Sequence, residues 1–331
     1  MNLKKYGLNI STAIIGLMLS NSVLATHSDL QSAIELREAI ELKPSEQKFI
    51  NASTTTSKTL PISRGFHQQE TCLCWSYAFF NALETISLID DPNSKLELSR
   101  GAMQYINIKD RIIEKIQGID DHVNPTKYKG CWAEGGTAPD AAKLIRKYGV
   151  YQYNDYHDII SPTAYSNTIN QIFSYTDENM QYKLTDSLLL NYFQYDLPKY
   201  TVYKDNTITA IDLGNQLAGP GKWVPYSISK NGTDYQAKSL DPDARVGGLV
   251  NFTSRDNVLK IIVETLENNS PVLYGNDHHL TMIYGVEYDQ SKNPLSLFVK
   301  DSYNFHDGSY TYKADVQRLL NELGEITVYE P

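Results

Sequence analysis

Cysteine is scarce in this sequence: Cys72, Cys74 and Cys131 are the only three in 331 residues. An odd count excludes a fully paired disulfide framework and leaves at least one thiol unpaired or shared between chains. After residue 25, no apolar run is long enough to span a bilayer. Basic residues are also short: 30 Lys and Arg face 39 Asp and Glu, a net charge of −9. That balance argues against nucleic acid or an anionic membrane surface as partner. Phe (9) and Trp (3) are few, whereas Tyr reaches 24, so the aromatic surface is largely amphipathic. With 41% hydrophobic and 21% charged residues, the chain has the means to bury a large core as one or two domains.

The N-terminus carries a signal. Lys4 and Lys5 precede the short apolar stretch Ala13–Leu19, and Val23-Leu24-Ala25 fits a small-residue cleavage site. This is the pattern of a secretory signal peptide over residues 1–25, with an exported product, periplasmic or extracellular. Loss of Lys4 and Lys5 leaves 28 basic against 39 acidic residues, a net of −11. In an oxidising compartment the simplest cysteine assignment is a Cys72–Cys131 disulfide with Cys74 free; the alternative is three free thiols.

The chain is organised around His67 to Phe80 (HQQETCLCWSYAFF). A polar turn becomes an apolar helix at Cys74, and Tyr77, Ala78, Phe80 and Leu83 recur at helical spacing. A cysteine at a helix N-terminus meets unpaired backbone N–H groups and the positive end of the helix dipole, which favour a thiolate. The same N–H groups suit an oxyanion.

Around this centre, Asp29–Leu42 reads as an amphipathic helix, broken at Pro44 and followed by a short helical turn over 45–50. Asn51–Thr59 (NASTTTSKT) reads as a polar, cleavable linker. Residues 26–57 therefore form a candidate helical pro-segment, placed to lie over the cleft; the alternative is an N-terminal arm packed on the domain. Helices follow after Cys74, after Ser99, over 138–148 with Gly149 as stop, and over 255–268. The stretch 150–245 is the least legible. From Pro271 the period becomes that of strands: 271–274, 279–286, 296–302, 310–312 and 326–329. Helices first and strands last indicate an α+β fold with an antiparallel sheet. His279 opens one strand and Asp301 ends the next, so Cys74, His279 and Asp301 make a nucleophile–base–orienter set. His278 is the alternative base.

These motifs resemble the papain-like cysteine peptidases, family C1. The family's Gln, five residues, then Cys-Trp is matched by Gln68 and Cys74-Trp75. Its cleft-lining Gly pair is matched by Gly135-Gly136, and the helix end that follows by Tyr148-Gly149-Val150. Its Pro-Val strand and strand-opening His are matched by Pro271-Val272 and His279, with Gly285 six residues on. Its Lys-Asn-Ser-Trp is matched by Lys300-Asp301-Ser302-Tyr303. The resemblance covers about residues 61–330. It implies a papain-like fold, with a helical N-terminal subdomain, a C-terminal β-sheet or barrel and a cleft between them.

By this resemblance Cys74 is the nucleophile and His279 the acid and base. Gln68 is an oxyanion donor, Asp301 the orienter of His279, and Trp75, Gly135 and Gly136 line the substrate cleft. The peptidase domain spans 58–331, with a long insertion within about 150–245. The implied product is a secreted, monomeric cysteine endopeptidase made as a zymogen, acting on protein or peptide with no metal or organic cofactor and no stable membrane association. The sequence departs from the family at Asp301 in place of Asn, at Tyr303 in place of Trp, and in placing Cys72 two residues before the nucleophile. His279 lies 205 residues after Cys74, well past the usual separation of about 130–150. A Cys-His-Asp set also suits transglutamination or deamidation on the same fold. A third reading is an inactive peptide-binding homologue.

Overall fold

The computed structural model describes residues 23–54, 56–68, 71–119, 135–156, 160–161, 163–194, 196–218, 222–228, 251–253, 255–276, 279–304, 308–322 and 324–330. The first amphipathic stretch forms α1 (Val23–Ile40), and Pro44 opens α2 (Pro44–Ser53), where its missing N–H costs nothing. Thr56–Thr59 is strand β1, not linker. Its polar side chains stay largely in water while its backbone pairs with a neighbouring strand, and alternating Thr suits that role. Sequence composition hid it, because an edge strand needs no apolar face.

The helical half follows: α3 (Cys74–Asp90), α4 (Arg100–Ile116) and α5 (Ala138–Tyr148). Helix α3 is buried almost all round, Asn81, Glu84 and Thr85 included, as befits a helix enclosed on every side. Ser99 caps α4, accepting from the Ala102 amide at 3.0 Å. Thr137 and Asp140 form a capping box on α5, which stops at Gly149 with φ +94°. A Cβ at Gly149 would sit 2.5 Å from the Ala210 backbone, so this stop is also a close approach.

The stretch of the expected insertion, about 150–245, is described as far as residue 228. It holds α6 (Ala164–Ile172), α7 (Glu178–Phe193), a hairpin of β2 (Tyr200–Tyr203) and β3 (Asn206–Thr209), α8 (Ala210–Ala218) and β4 (Lys222–Ile228). Phe193, Leu213 and Trp223 join the helical core, and β4 joins the main sheet. Then come β5 (Asn251–Thr253), α9 (Arg255–Glu267), β6 (Val272–Gly275), β7 (Leu280–Tyr288), β8 (Pro294–Lys300), β9 (Thr311–Asp315), α10 (Val316–Glu322) and β10 (Glu325–Glu330).

Eight strands make one sheet in the order β5-β4-β10-β6-β7-β8-β9. Strand β1 extends it beside the second half of β7, from Gly285 to Tyr288, where β6 no longer reaches. All pairings are antiparallel except β4 with β5. The sheet buries both faces. Leu273, Leu280 and Met282 point to the helical core around α3, while Val272, Tyr274, Ile283 and Val299 point to a second core under α1, α9 and α10. Alternation along the strands thus serves two cores at once.

Helix α1 does not lie beside Gly135-Gly136. It packs on the far core with Leu36 and Ile40, and the chain after it follows β9: the Leu42 amide donates to the Lys313 carbonyl at 2.9 Å. Arg37 stacks on Tyr312, its guanidinium carbon 4.8 Å from the ring centre. Lys313 donates to Asn51 at 2.9 Å, and Arg318 pairs with Glu46. Among the described residues no helix is long and apolar enough to cross a membrane.

Candidate active site

Cys74 is the first residue of α3, and Leu73 at the N-cap supplies no side-chain cap. The thiol is therefore set at the positive end of a buried helix. Helix α3 packs on β7, the strand that His279 precedes, with Thr85 donating to the Met282 sulfur at 3.8 Å. That contact brings His279 to Cys74 across 205 residues of sequence.

His279 is 3% exposed and Asp301 is 1% exposed. His279 Nε2 lies 2.8 Å from Asp301 Oδ1, and Cys74 stands near enough to act on the ring. With Nε2 engaged by the carboxylate, Nδ1 is the nitrogen left for sulfur. Burial pulls the imidazolium down. The Asp301 carboxylate, by charge and hydrogen bond, and then Cys74 outweigh it, and hold the His279 proton well above the usual range. Oδ1 of Asp301 also accepts from the Ser302 amide at 2.6 Å and the Tyr303 amide at 3.2 Å. Oδ2, fully buried, has no hydrogen-bond partner. All of the orienting contacts converge on one oxygen. The turn before β7 holds the histidine backbone: its amide donates to Asn276 Oδ1 at 2.9 Å. The Tyr303 ring lies 5.7 Å from that of His279, centre to centre, in the place where the family has Trp.

Gln68 is fully buried. Its amide donates to the Ser302 carbonyl at 2.8 Å, its Oε1 accepts from the Ser302 hydroxyl at 2.7 Å, and its Nε2 donates to the Thr71 carbonyl. A carboxamide has two N–H groups, so one remains for another acceptor. The segment carrying Gln68 is thus tied to the end of β8. Trp75 is buried against the loop: a Cβ on Gly136 would meet its ring at 3.0 Å. Arg111 of α4 donates to the Gly135 carbonyl and, at 3.1 Å, to Asn107.

Cys74 is the free cysteine among the described residues, and Cys72 is not a free thiol. Cys131 and His278 lie outside the described residues, as do residues 1–22 of the expected signal peptide over 1–25. Among the described residues no group of three or more His, Cys, Asp or Glu could hold a metal ion.

The geometry thus brings Cys74 to His279, bonds His279 to Asp301, and fixes Gln68 to the residue after Asp301. Sequence reasoning missed Ser302, Arg111 and a buried group of Lys300, Ser63, Glu84 and Arg100. Lys300 and Ser302 flank Asp301 in the matched motif, which was the signal available for them. Glu84, an acid in the buried body of α3, was another.

No protein-family model and no curated protein matches the sequence. Among solved structures, the chain superposes on PepW of Lactobacillus rhamnosis with a TM-score of 0.64 at 12% identity, over 97% of this chain and 92% of that one. Digestive procathepsin L 3 of the Tenebrio molitor larval midgut aligns with a TM-score of 0.39 at 12% identity, over 97% and 93% of the chains. Xylellain, a cysteine protease from Xylella fastidiosa, aligns with a TM-score of 0.35 at 14% identity, over 85% and 88%. At these identities the likeness concerns the fold: α+β, of the papain-like type.

Proposed function

We propose that the chain is a cysteine peptidase that cleaves peptide bonds by acyl transfer through Cys74. One observation carries this reading: His279 is hydrogen-bonded to the Asp301 carboxylate and stands beside the free thiol of Cys74. A proton held on His279 is the imidazolium half of a thiolate–imidazolium pair. In the proposed reaction Sγ attacks the substrate carbonyl carbon and the carbonyl electrons move to oxygen. That oxyanion takes the Cys74 amide and the second Nε2–H of Gln68. His279 gives its proton to the leaving amine as the C–N bond breaks. It then takes one from water, whose oxygen attacks the thioester and releases the thiolate. Gly135, Gly136 and Trp75 line the side of the cleft that receives the peptide.

The finer reading is an exported, monomeric endopeptidase with a Cys72–Cys131 disulfide beside the nucleophile. The contacts of α1 and α2 favour a segment over about 33–60 that stays with the enzyme, so any maturation cut falls before it. A second reading keeps the same acyl-enzyme but delivers it to an amine, or hydrolyses a side-chain amide; the carboxylate at Asp301 favours it. The test sets a fluorogenic peptide beside amine incorporation into a glutamine-containing protein, with a thiol-directed epoxide to titrate Cys74. Peptide hydrolysis blocked by stoichiometric labelling of Cys74 supports the peptidase. Amine incorporation without peptide hydrolysis supports the second reading, and neither activity with an unlabelled Cys74 ends both.

A further inference from the structure

Lys300, the last residue of β8, is 1% exposed. Its Nζ donates to the Ser63 hydroxyl at 2.8 Å, the Ser63 carbonyl at 3.0 Å and the Arg64 carbonyl at 3.1 Å. All three ammonium hydrogens are used, and none goes to a carboxylate. The Ser63 hydroxyl in turn donates to Glu84 at 2.5 Å. Glu84 stands on α3, ten residues after Cys74, and takes the Arg100 guanidinium on both oxygens, at 2.6 and 3.0 Å. Arg100 then covers the Phe66 ring, 4.0 Å from its centre. Residues 63–66 are therefore bound on one side by β8 and on the other by α3 and α4. Two residues further on, this segment delivers Gln68.

The cluster is a costly way to fill space. Burial pulls the Lys300 amine down to about 7, with Glu84 pushing it up and Arg100 down. An apolar side chain of the same length would avoid that desolvation. What the ammonium offers instead is three donors converging on fixed carbonyls, with an order of contacts that joins the sheet to the nucleophile's helix.

We propose that Lys300 is a positioning residue for the oxyanion site. Its amine fixes residues 63 and 64, and so sets where the Gln68 carboxamide stands relative to Cys74. The inference rests on the reading of Gln68 as an oxyanion donor. Ser302 fixes which way the carboxamide faces; Lys300 fixes how far the segment reaches. The two ties, two residues apart at the end of β8, hold the segment at its beginning and its end.

The test is a double-mutant cycle in the full chain, with Lys300→Met, Gln68→Ala and the pair. The readouts are kcat and KM on a peptide substrate, the rate of Cys74 alkylation by iodoacetamide, which forms no oxyanion, and the melting temperature. Lys300→Met is expected to lower kcat by about 10- to 100-fold with KM within about twofold, the scale of a displaced catalytic group. Alkylation should stay at the wild-type rate. In the Gln68→Ala background the same substitution should cost less than about threefold, since the group it positions is already gone. Equal losses in both backgrounds, or a parallel fall in alkylation, would overturn the proposal. Should Lys300→Met not fold, Ser63→Ala carries the same cycle by removing the hydroxyl between Lys300 and Glu84. Full activity of Gln68→Ala alone removes the oxyanion reading and the premise with it, while leaving the Cys74–His279 reading intact.

Discussion

The Ser302 hydroxyl donates to Oε1 of Gln68 at 2.7 Å, while the Ser302 amide donates to Oδ1 of Asp301 at 2.6 Å. One residue thus orients both the carboxamide beside the nucleophile and the carboxylate behind the base. Because the hydroxyl claims Oε1, the amide nitrogen of Gln68 must face the other way. Removing an oxyanion donor outright costs about 10²–10³ in kcat. Ser302→Ala removes only its alignment, so kcat is expected to fall by about tenfold with KM little changed, measured by steady-state hydrolysis of a peptide substrate.

Cys74→Ser is expected to abolish turnover while the protein keeps its fold, since a hydroxyl beside His279 forms no stable oxyanion at neutral pH. Cys72→Ser should keep the chemistry and lose stability. Removing a disulfide that closes a long loop costs about 2–5 kcal/mol. Active-site titration together with thermal unfolding separates the two; an active Cys74→Ser protein would refute the assignment of the nucleophile.

Asp301→Asn should fold, because an amide oxygen can accept the bonds now made to Oδ1. The pH dependence should change. Asp301 raises the His279 pKa, so the imidazolium persists to higher pH in the wild type. A raised pKa stabilises the charged form below the folded value and loses that effect as pH climbs through it. The alkaline limb of the kcat/KM profile should therefore move to lower pH in Asp301→Asn. An unmoved limb would mean that the carboxylate does not act on the dyad.

A chain starting near residue 58 loses Leu36, Ile40, Leu42 and Ile50 from the core. Each fully buried aliphatic side chain contributes roughly 1.5–3 kcal/mol, so the loss is roughly 6–12 kcal/mol, comparable to a whole domain's stability of about 5–15. Such a chain is expected to be unfolded or aggregated, whereas one starting near residue 30 should melt close to the full chain. A stable and more active protein starting near 58 would restore the removable inhibitory pro-segment.

The sequence by itself determined the helices after Cys74 and Ser99, the two ends of α5, the late strands and the α+β fold, because each rests on local periodicity, capping residues and breakers. It also picked out Cys74, His279, Asp301 and Gln68, whose residue types and spacing match a known pattern. It did not reveal β1 or the place of β4 in the sheet. Thr56–Thr59 is a strand only because β7 has an unpaired stretch beyond Gly285, a backbone vacancy that no residue in β1 announces. The tyrosine-rich middle was hard to read because its helices are half-exposed, with apolar residues too sparse to print a period.

Tertiary structure alone decided where α1 went. An amphipathic helix carries no address, and its apolar face is buried in the core beside β9 and α10. It alone decided which polar groups converge behind the site. Glu84, Arg100, Ser63 and Lys300 lie up to 237 positions apart, and nothing local marks them as neighbours. Their meeting depends on α3 packing against the sheet, a long-range event, and that same packing closes the distance between Cys74 and His279.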